Sequence, residues 1–410
     1  MAVIRPFRAL RPVPAAASAV AAVPYDVVST DEARALAAGN PLSFLHVSRA
    51  EIDLSPHADP YGDDVYRLAA TNLETLTQAA PLVIEDRSSL YLYRLRTADH
   101  EQTGLAGCFS LDEYDRQVIK RHEHTRRDKE NDRTRHTVAV RAQTGIVYLA
   151  YRARNDIDII VDRATRAEPC LDVVASDAVR HTIWCLDETD QTAVTMAFKQ
   201  LPALYIADGH HRVAGAARAR EKMAATVGDD PEAEARFFLG VAFPDNQTRI
   251  LPYNRTVDNL AGLTPDTFID AVAARFPLQR ANTAIPPKGT VAMYLNGCWH
   301  AVDVAAASTT IGSGSRTARL DVSLLQDQVL APLLGITDVR ADPRITFVGG
   351  ARGTAALERM VDLGTAAVAF SLAPVTTEEL LAISDAGDIM PPKSTWFDPK
   401  LRDGLLIHRL

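Results

Sequence analysis

The chain is short of cysteine, of long apolar runs and of positive charge, and each shortage excludes something. Its four cysteines (Cys108, Cys170, Cys185 and Cys298) are widely separated, with no Cys-x-x-Cys pair and no metal-ligand spacing. They read as buried small hydrophobes in a reducing compartment. No uninterrupted apolar stretch approaches the ~20 residues that span a bilayer, so a cytoplasmic protein without membrane contact is expected. The net charge of −8 argues against nucleic-acid binding as the main business. Repeats, long low-complexity tracts and a helix-turn-helix signal are missing too. Gly312-Ser313-Gly314-Ser315 is followed by no Walker-type lysine, so this flexible loop receives no phosphate role. One segment imitates a leader: Arg5, Arg8 and Arg11 precede an alanine-rich stretch from Ala15 to Val23. Alanine makes a poor apolar core for a signal, and Pro12 and Pro14 interrupt the approach, so it reads as mature protein.

What is present is ordinary globular composition, 47% hydrophobic and 23% charged, over 410 residues. Strands are expected at Val3–Leu10, Leu90–Arg96, Leu105–Leu111, Gly145–Tyr151, Ile157–Val161, Thr182–Leu186 and Ala203–Ala207. Phe237–Phe243 and Thr248–Pro252 read as two more strands turned by Asp245-Asn246. Asn296-Gly297, between Val291–Leu295 and His300–Val304, is a strong hairpin signal. Helices are expected at Asp63–Ala79, Val213–Ala225, Thr264–Phe276, Val322–Leu334, Thr354–Leu363 and Thr376–Ser384. The fold class that follows is α+β with mixed sheets. The organisation expected is a motif-bearing region over 1–260 and a C-terminal α/β region over 261–410, whose last loop returns to the active site.

One turn carries most of the chemistry. Asp208-Gly209-His210-His211-Arg212 follows a short apolar strand and opens an alanine-rich helix. Gly209 permits the sharp turn, Asp208 reads as the N-cap, and the first-turn N–H groups make an anion site. A carboxylate at an anion site is a contradiction unless a cation or a transferable proton mediates. Phosphoryl transfer supplies that mediation, with metal or base on the carboxylate and His and Arg on the phosphate.

A second constellation runs from Tyr114 to His136, where Glu123, Asp128, Glu130 and Asp132 sit among eight Lys and Arg residues. Most of these charges read as a solvated helix laced with surface ion pairs. His122-Glu123-His124 lacks the i, i+4 histidine spacing of a helical zinc site. If the segment is extended, Glu123 points away from both histidines, as a base entering a cleft would. Tyr25 and Asp26 follow Pro24 and either form a structural turn or line a substrate pocket. Arg255 either clamps a carboxylate or phosphate or is a surface arginine. Lys393-Ser394-Thr395, in a proline-bounded loop, combines a cation with two hydroxyls that can hold phosphate.

These segments, in this order, resemble the family catalogued as domain of unknown function 1015, known by its Asp-Gly-His-His-Arg signature. Ile4–Pro12, Val23–Val28, Asn40-Pro41 with Ser43–Leu45, His122–Thr125 with Asp132-Arg133, and Met390–Phe397 with Pro399-Lys400 carry the resemblance. Val213 departs from it at a position that is often aromatic. The resemblance implies a ParB/sulfiredoxin-like core related to free serine kinases. It implies transfer of phosphate from pyrophosphate, ATP or ADP to L-serine with Mg²⁺. Glu123 would be the base, Asp208 the metal or acceptor ligand, and His211 a catalytic partner. Gly209, His210, Arg212, Thr125 and Arg133 would bind the donor with Arg255, Lys393, Ser394, Thr395, Tyr25 and Asp26. Asp208, His211, Glu123 and the Lys393–Thr395 loop are accordingly expected to converge on one cleft. A ParB-like nucleotide switch and a non-catalytic metabolite-binding protein remain as alternatives, and oligomeric state is left open.

Overall fold

A computed structural model describes residues 2–79, 81–227, 230–308 and 316–410. The Gly312–Ser315 loop lies outside the described residues. Two compact units make up the chain. The first comprises Met1–Arg121, Thr125–Thr248 and Pro399–Leu410; the second comprises His122–His124 and Arg249–Asp398. The last twelve residues belong to the first unit. The fold is α+β with mixed sheets.

The first unit is built on a nine-stranded sheet in which antiparallel and parallel pairs mix. Tyr91–Arg96, Glu101–Ser110, Phe237–Pro244, Val147–Tyr151 and Leu204–Asp208 are consecutive neighbours. Phe237–Pro244 runs parallel to Val147–Tyr151, and Leu204–Asp208 runs antiparallel to it. These central strands are apolar along their whole length, as strands covered on both faces must be. A four-stranded sheet joins Leu82–Ile84, Ala9–Pro12, Ile407–Arg409 and Ala142–Gln143. The N-terminal stretch is therefore two strands, not one: Ile4–Arg5 pairs into the large sheet and Ala9–Pro12 into the small one. Val20 and Ala22 of the alanine-rich stretch are packed in the core.

Two expectations fail for identifiable reasons. Ile157–Val161 is not a strand but the middle of a helix, Asn155–Ala164. Ile157, Ile160 and Val161 are buried at i, i+3 and i+4 while Ile159 is exposed, so helical periodicity outweighs β-branched propensity. Thr248–Pro252 does not turn back onto Phe237–Pro244. The strand there is Arg249–Leu251, within the second unit, and it pairs with Trp396–Asp398.

The second unit holds a six-stranded antiparallel sheet around Thr290–Leu295, Val368–Leu372 and Tyr253–Val257. The Asn296-Gly297 hairpin forms as expected, with both residues at positive φ. The helix expected over Val322–Leu334 is interrupted: Asp321–Leu325 is α-helical, Gln326–Leu330 widens to a π turn, and Ala331–Leu334 resumes the α-helix. The cysteines are all free, yet Cys108 is the buried one, while Cys185 is exposed and Cys170 and Cys298 are half-buried. Among the described residues, no helix is long and apolar enough to cross a membrane.

Candidate functional site

Strand Leu204–Asp208 ends in a register shift between Ile206 and Asp208, an irregularity that re-aims the last side chain. Gly209 follows at φ +101°, which an L side chain rarely adopts. Helix His210–Val227 then begins, and its first i→i−4 bond runs from Val213 N to Gly209 O (3.1 Å). Gly209, not Asp208, is thus the N-cap, because the cap is the residue whose carbonyl accepts the first helical bond. Asp208 remains in the strand, where its Oδ2 accepts from Lys400 Nζ at 2.8 Å. The chain end returns to the motif through this ion pair.

The histidines and the arginine of the turn have separate surroundings. His210 is buried. His211 Nε2 accepts from the backbone N–H of Arg126 at 3.0 Å. Arg212 is almost wholly buried and donates to Ile146 O (2.7 Å) and to both oxygens of Asp26 (2.8 and 3.0 Å). Burial opposes its charge, but Asp26, Asp208 and Asp403 outweigh burial and push its pKa up. The arginine expected on a phosphate therefore spends these donors on locking the turn to the Tyr25-Asp26 segment.

Helix Arg127–Val140 packs against helix His210–Val227, and Gly215 makes the approach possible. A Cβ there would stand 2.8 Å from Arg133 Cβ. The expectation of a solvated charged helix fails on this inner face, where Asp132, Thr134 and His136 are buried. Each finds a partner: Asp132 accepts from Tyr66 OH (2.9 Å) and Arg133 Nε (2.8 Å), and Thr134 donates to Glu130 O (2.7 Å). His136 Nε2 meets Val47 O at 3.0 Å. Burial, reinforced by Arg133, lowers the His136 pKa to about 4. The Arg133 guanidinium lies 3.9 Å over the Tyr25 ring, and burial raises the Tyr25 phenol. Thr125 donates to Glu130, which also pairs with Arg218 at 3.2 Å.

Asp403 was not foreseen. It is 2% exposed, and its backbone exchanges both hydrogen bonds with Ala22. Burial raises its carboxyl to about 7, opposed by Arg212 and Arg133 and supported by Asp26. In sequence it is an acid beside a glycine near the chain end, indistinguishable from a surface turn.

The remaining candidates lie in the second unit. Glu123 is half-buried in the His122–His124 segment, and Met390 N donates to His122 O at 2.8 Å, tying that segment to the C-terminal loop. Arg255 is 2% exposed. It donates to Tyr253 O and to the carbonyls of Pro392 (3.4 Å) and Lys393 (3.1 Å). Burial brings its pKa down to about 9. Lys393 is exposed, in a left-handed conformation, with Nζ 5.3 Å from the Tyr253 ring centroid. Ser394 is buried and donates to Pro391 O at 2.6 Å, and Thr395 is half-buried. Asp208, Gly209, His210, His211, Arg212, Tyr25, Asp26, Thr125 and Arg133 all belong to the first unit.

Comparison with solved structures gives distant likenesses. SbnI with a C-terminal truncation, from Staphylococcus aureus, is 12% identical with a TM-score of 0.40, over 74% of this chain and 87% of that one. A conserved hypothetical protein from Pyrococcus furiosus is 14% identical with a TM-score of 0.37, over 74% and 95%. A free serine kinase in complex with AMP is 12% identical with a TM-score of 0.37, over 73% and 92%. No protein of curated function matches. The family model of the proteins of unknown function termed DUF1015 matches residues 4–323, more than three quarters of the sequence, and the chain belongs to that family.

Proposed function

We propose that this protein is a small-molecule phosphotransferase that moves phosphate from pyrophosphate, ATP or ADP to the hydroxyl of free L-serine, forming O-phosphoserine. The observation that best supports it is the state of Arg255. A buried guanidinium normally has a carboxylate beside it, because desolvating an unpaired charge costs several kcal/mol, on the order of 3–5. Among the described residues, the hydrogen bonds of Arg255 go to backbone carbonyls, two of them in the loop that carries Lys393. Such a cation is satisfied by an arriving anion, and a phosphate oxygen accepts from it strongly.

In this reading Glu123 takes the proton from the serine hydroxyl. The hydroxyl oxygen bonds to phosphorus as the donor's bridging P–O bond breaks, and the donor leaves as phosphate or the shortened nucleotide. His210 and His211 stabilise charge on the transferring group, on a turn that Arg212 holds rigid. Mg²⁺ would be held by Asp208, a hard oxygen donor. Lys400 Nζ lies 2.8 Å from Oδ2, so Mg²⁺ there would have to share the carboxylate with the lysine. Serine as acceptor rests on the motif resemblance to free serine kinases.

The test is phosphorus NMR of the protein with Mg²⁺, L-serine and each donor in turn. A phosphoserine signal is expected with at least one donor. Glu123→Gln should lose it while keeping donor binding, since an amide cannot accept the proton. No phosphoserine with any donor, from folded protein, rejects the reading. Undiminished turnover in Glu123→Gln removes the base.

A further inference from the structure

The first unit contains a small interior cavity that the reaction above does not use. Tyr25, Arg133, His136, Thr144, Arg212 and Asp403 are among its walls, and its volume is about 30 Å³. Among the described residues, two buried polar atoms on this wall have no hydrogen-bond partner, Arg212 Nε and Asp403 Oδ2. One is a donor and the other an acceptor. Leaving both unmet would carry the full desolvation penalty of each group, larger for charged ones. Gly145 also borders the cavity, and a Cβ there would lie 3.4 Å from Arg212 Nε, so the missing side chain leaves room beside this donor.

Size and charge select the occupant. About one to two water molecules fit such a volume. An anion is disfavoured: the guanidiniums of Arg133 and Arg212 already face Asp132, Asp26 and Asp403, which leaves no surplus positive charge. A cation is disfavoured by the same two guanidiniums. An occupant that both donates and accepts is required.

We propose that this cavity is an internal water site in which ordered water bridges Arg212 Nε–H to Asp403 Oδ2, making Asp403 a positioning residue for the Asp-Gly-His-His-Arg turn. Asp26 and Ile146 hold the end of the guanidinium, and the water holds its inner edge. The C-terminal segment thereby bears on the turn twice, through Lys400 on Asp208 and through Asp403 and water on Arg212. The groups facing Asp403 are Arg212, Arg133, Asp26 and the Tyr25 backbone N–H, with His136 across the cavity. Burial sets Asp403 to release its proton near neutrality, so the bridge changes polarity there. The proposal is independent of which reaction the protein performs.

A crystal structure of the wild-type protein at a resolution that shows ordered water tests it directly. Density for a water within hydrogen-bond distance of both atoms is expected. A dry cavity, or Arg212 Nε bonded straight to Asp403, overturns the proposal. Melting temperatures of Asp403→Asn and Asp403→Leu give a second readout. Asn keeps an acceptor for the water and should melt close to wild type at pH 8. Leu removes it and orphans Arg212, and should melt several degrees lower. A Leu variant that melts at or above wild type would mean that the site prefers to be apolar and dry, which also overturns the proposal.

Discussion

Two buried arginines, Arg212 in the first unit and Arg255 in the second, are treated in opposite ways. Around the Asp-Gly-His-His-Arg turn each buried or half-buried cation has its own carboxylate: Arg212 has Asp26, Arg133 has Asp132, Arg218 has Glu130 and Lys400 has Asp208. In the second unit the buried Arg255 meets backbone carbonyls instead. A compensated cation is already spent on architecture and gains little from a further anion. An uncompensated one is held at a cost that an anion relieves. In the sequence Arg212 and Arg255 both read as candidate donor-binding arginines, and their surroundings separate them.

The largest effect that would break this contrast concerns Arg255. Arg255→Met should abolish the stabilisation that pyrophosphate or ADP gives wild type in a thermal melt, and without ligand it should cost little or even stabilise. A variant that still responds to these anions would show that Arg255 is structural after all. Next comes Asp26→Ala, which strands the Arg212 guanidinium. Breaking a buried pair costs about 3–5 kcal/mol; Asp26 is partly exposed, so about 2–3 kcal/mol is expected in urea denaturation. A loss below about 1 kcal/mol would mean that Ile146 and solvent hold Arg212 without the carboxylate.

The turn itself was legible because its signals are local: an apolar strand, a glycine and an alanine-rich helix follow one another between Ala203 and Ala225. The cap was misassigned by one residue for a reason that is not local. Asp208 is drawn off by Lys400, 192 positions away. Helix Arg127–Val140 misled in the same manner. Its sequence shows charge on every side, and nothing in it reveals that Tyr66 and Val47 would satisfy Asp132 and His136 from distant elements. Asp403 was illegible because its burial depends on pairing with Ala22 across almost the whole chain. Periodicity reports which face is apolar. It does not report where a polar face finds partners, and in this protein the polar faces build the site.

The smallest effect sharpens the picture of the compensated region, because two of its buried groups titrate in opposition. His136 has a folded pKa near 4, below the ~6.5 of an unfolded histidine. The unfolded state binds the proton first, so the stability from neutral His136 is present above about pH 6.5 and is lost as pH falls toward 4. His181, fully buried against Tyr93 OH with its pKa also lowered by burial, acts in the same direction. Asp403 does the reverse. Its folded pKa of about 7 exceeds the ~3.9 of an unfolded aspartate. Its contribution is complete below about pH 4 and is lost as pH rises through 7. Between pH 4 and about 6.5 Asp403 offsets one of the two histidine slopes, so the wild-type denaturation midpoint should climb less steeply than the histidines alone would make it. Asp403→Asn removes one arm, so its midpoint should climb with pH from 4 to about 6.5 and then flatten. Denaturation of both proteins at half-unit pH steps reads this directly. Parallel curves for the two would show that Asp403 stays ionised throughout, despite being walled in by Arg212, Arg133 and Tyr25.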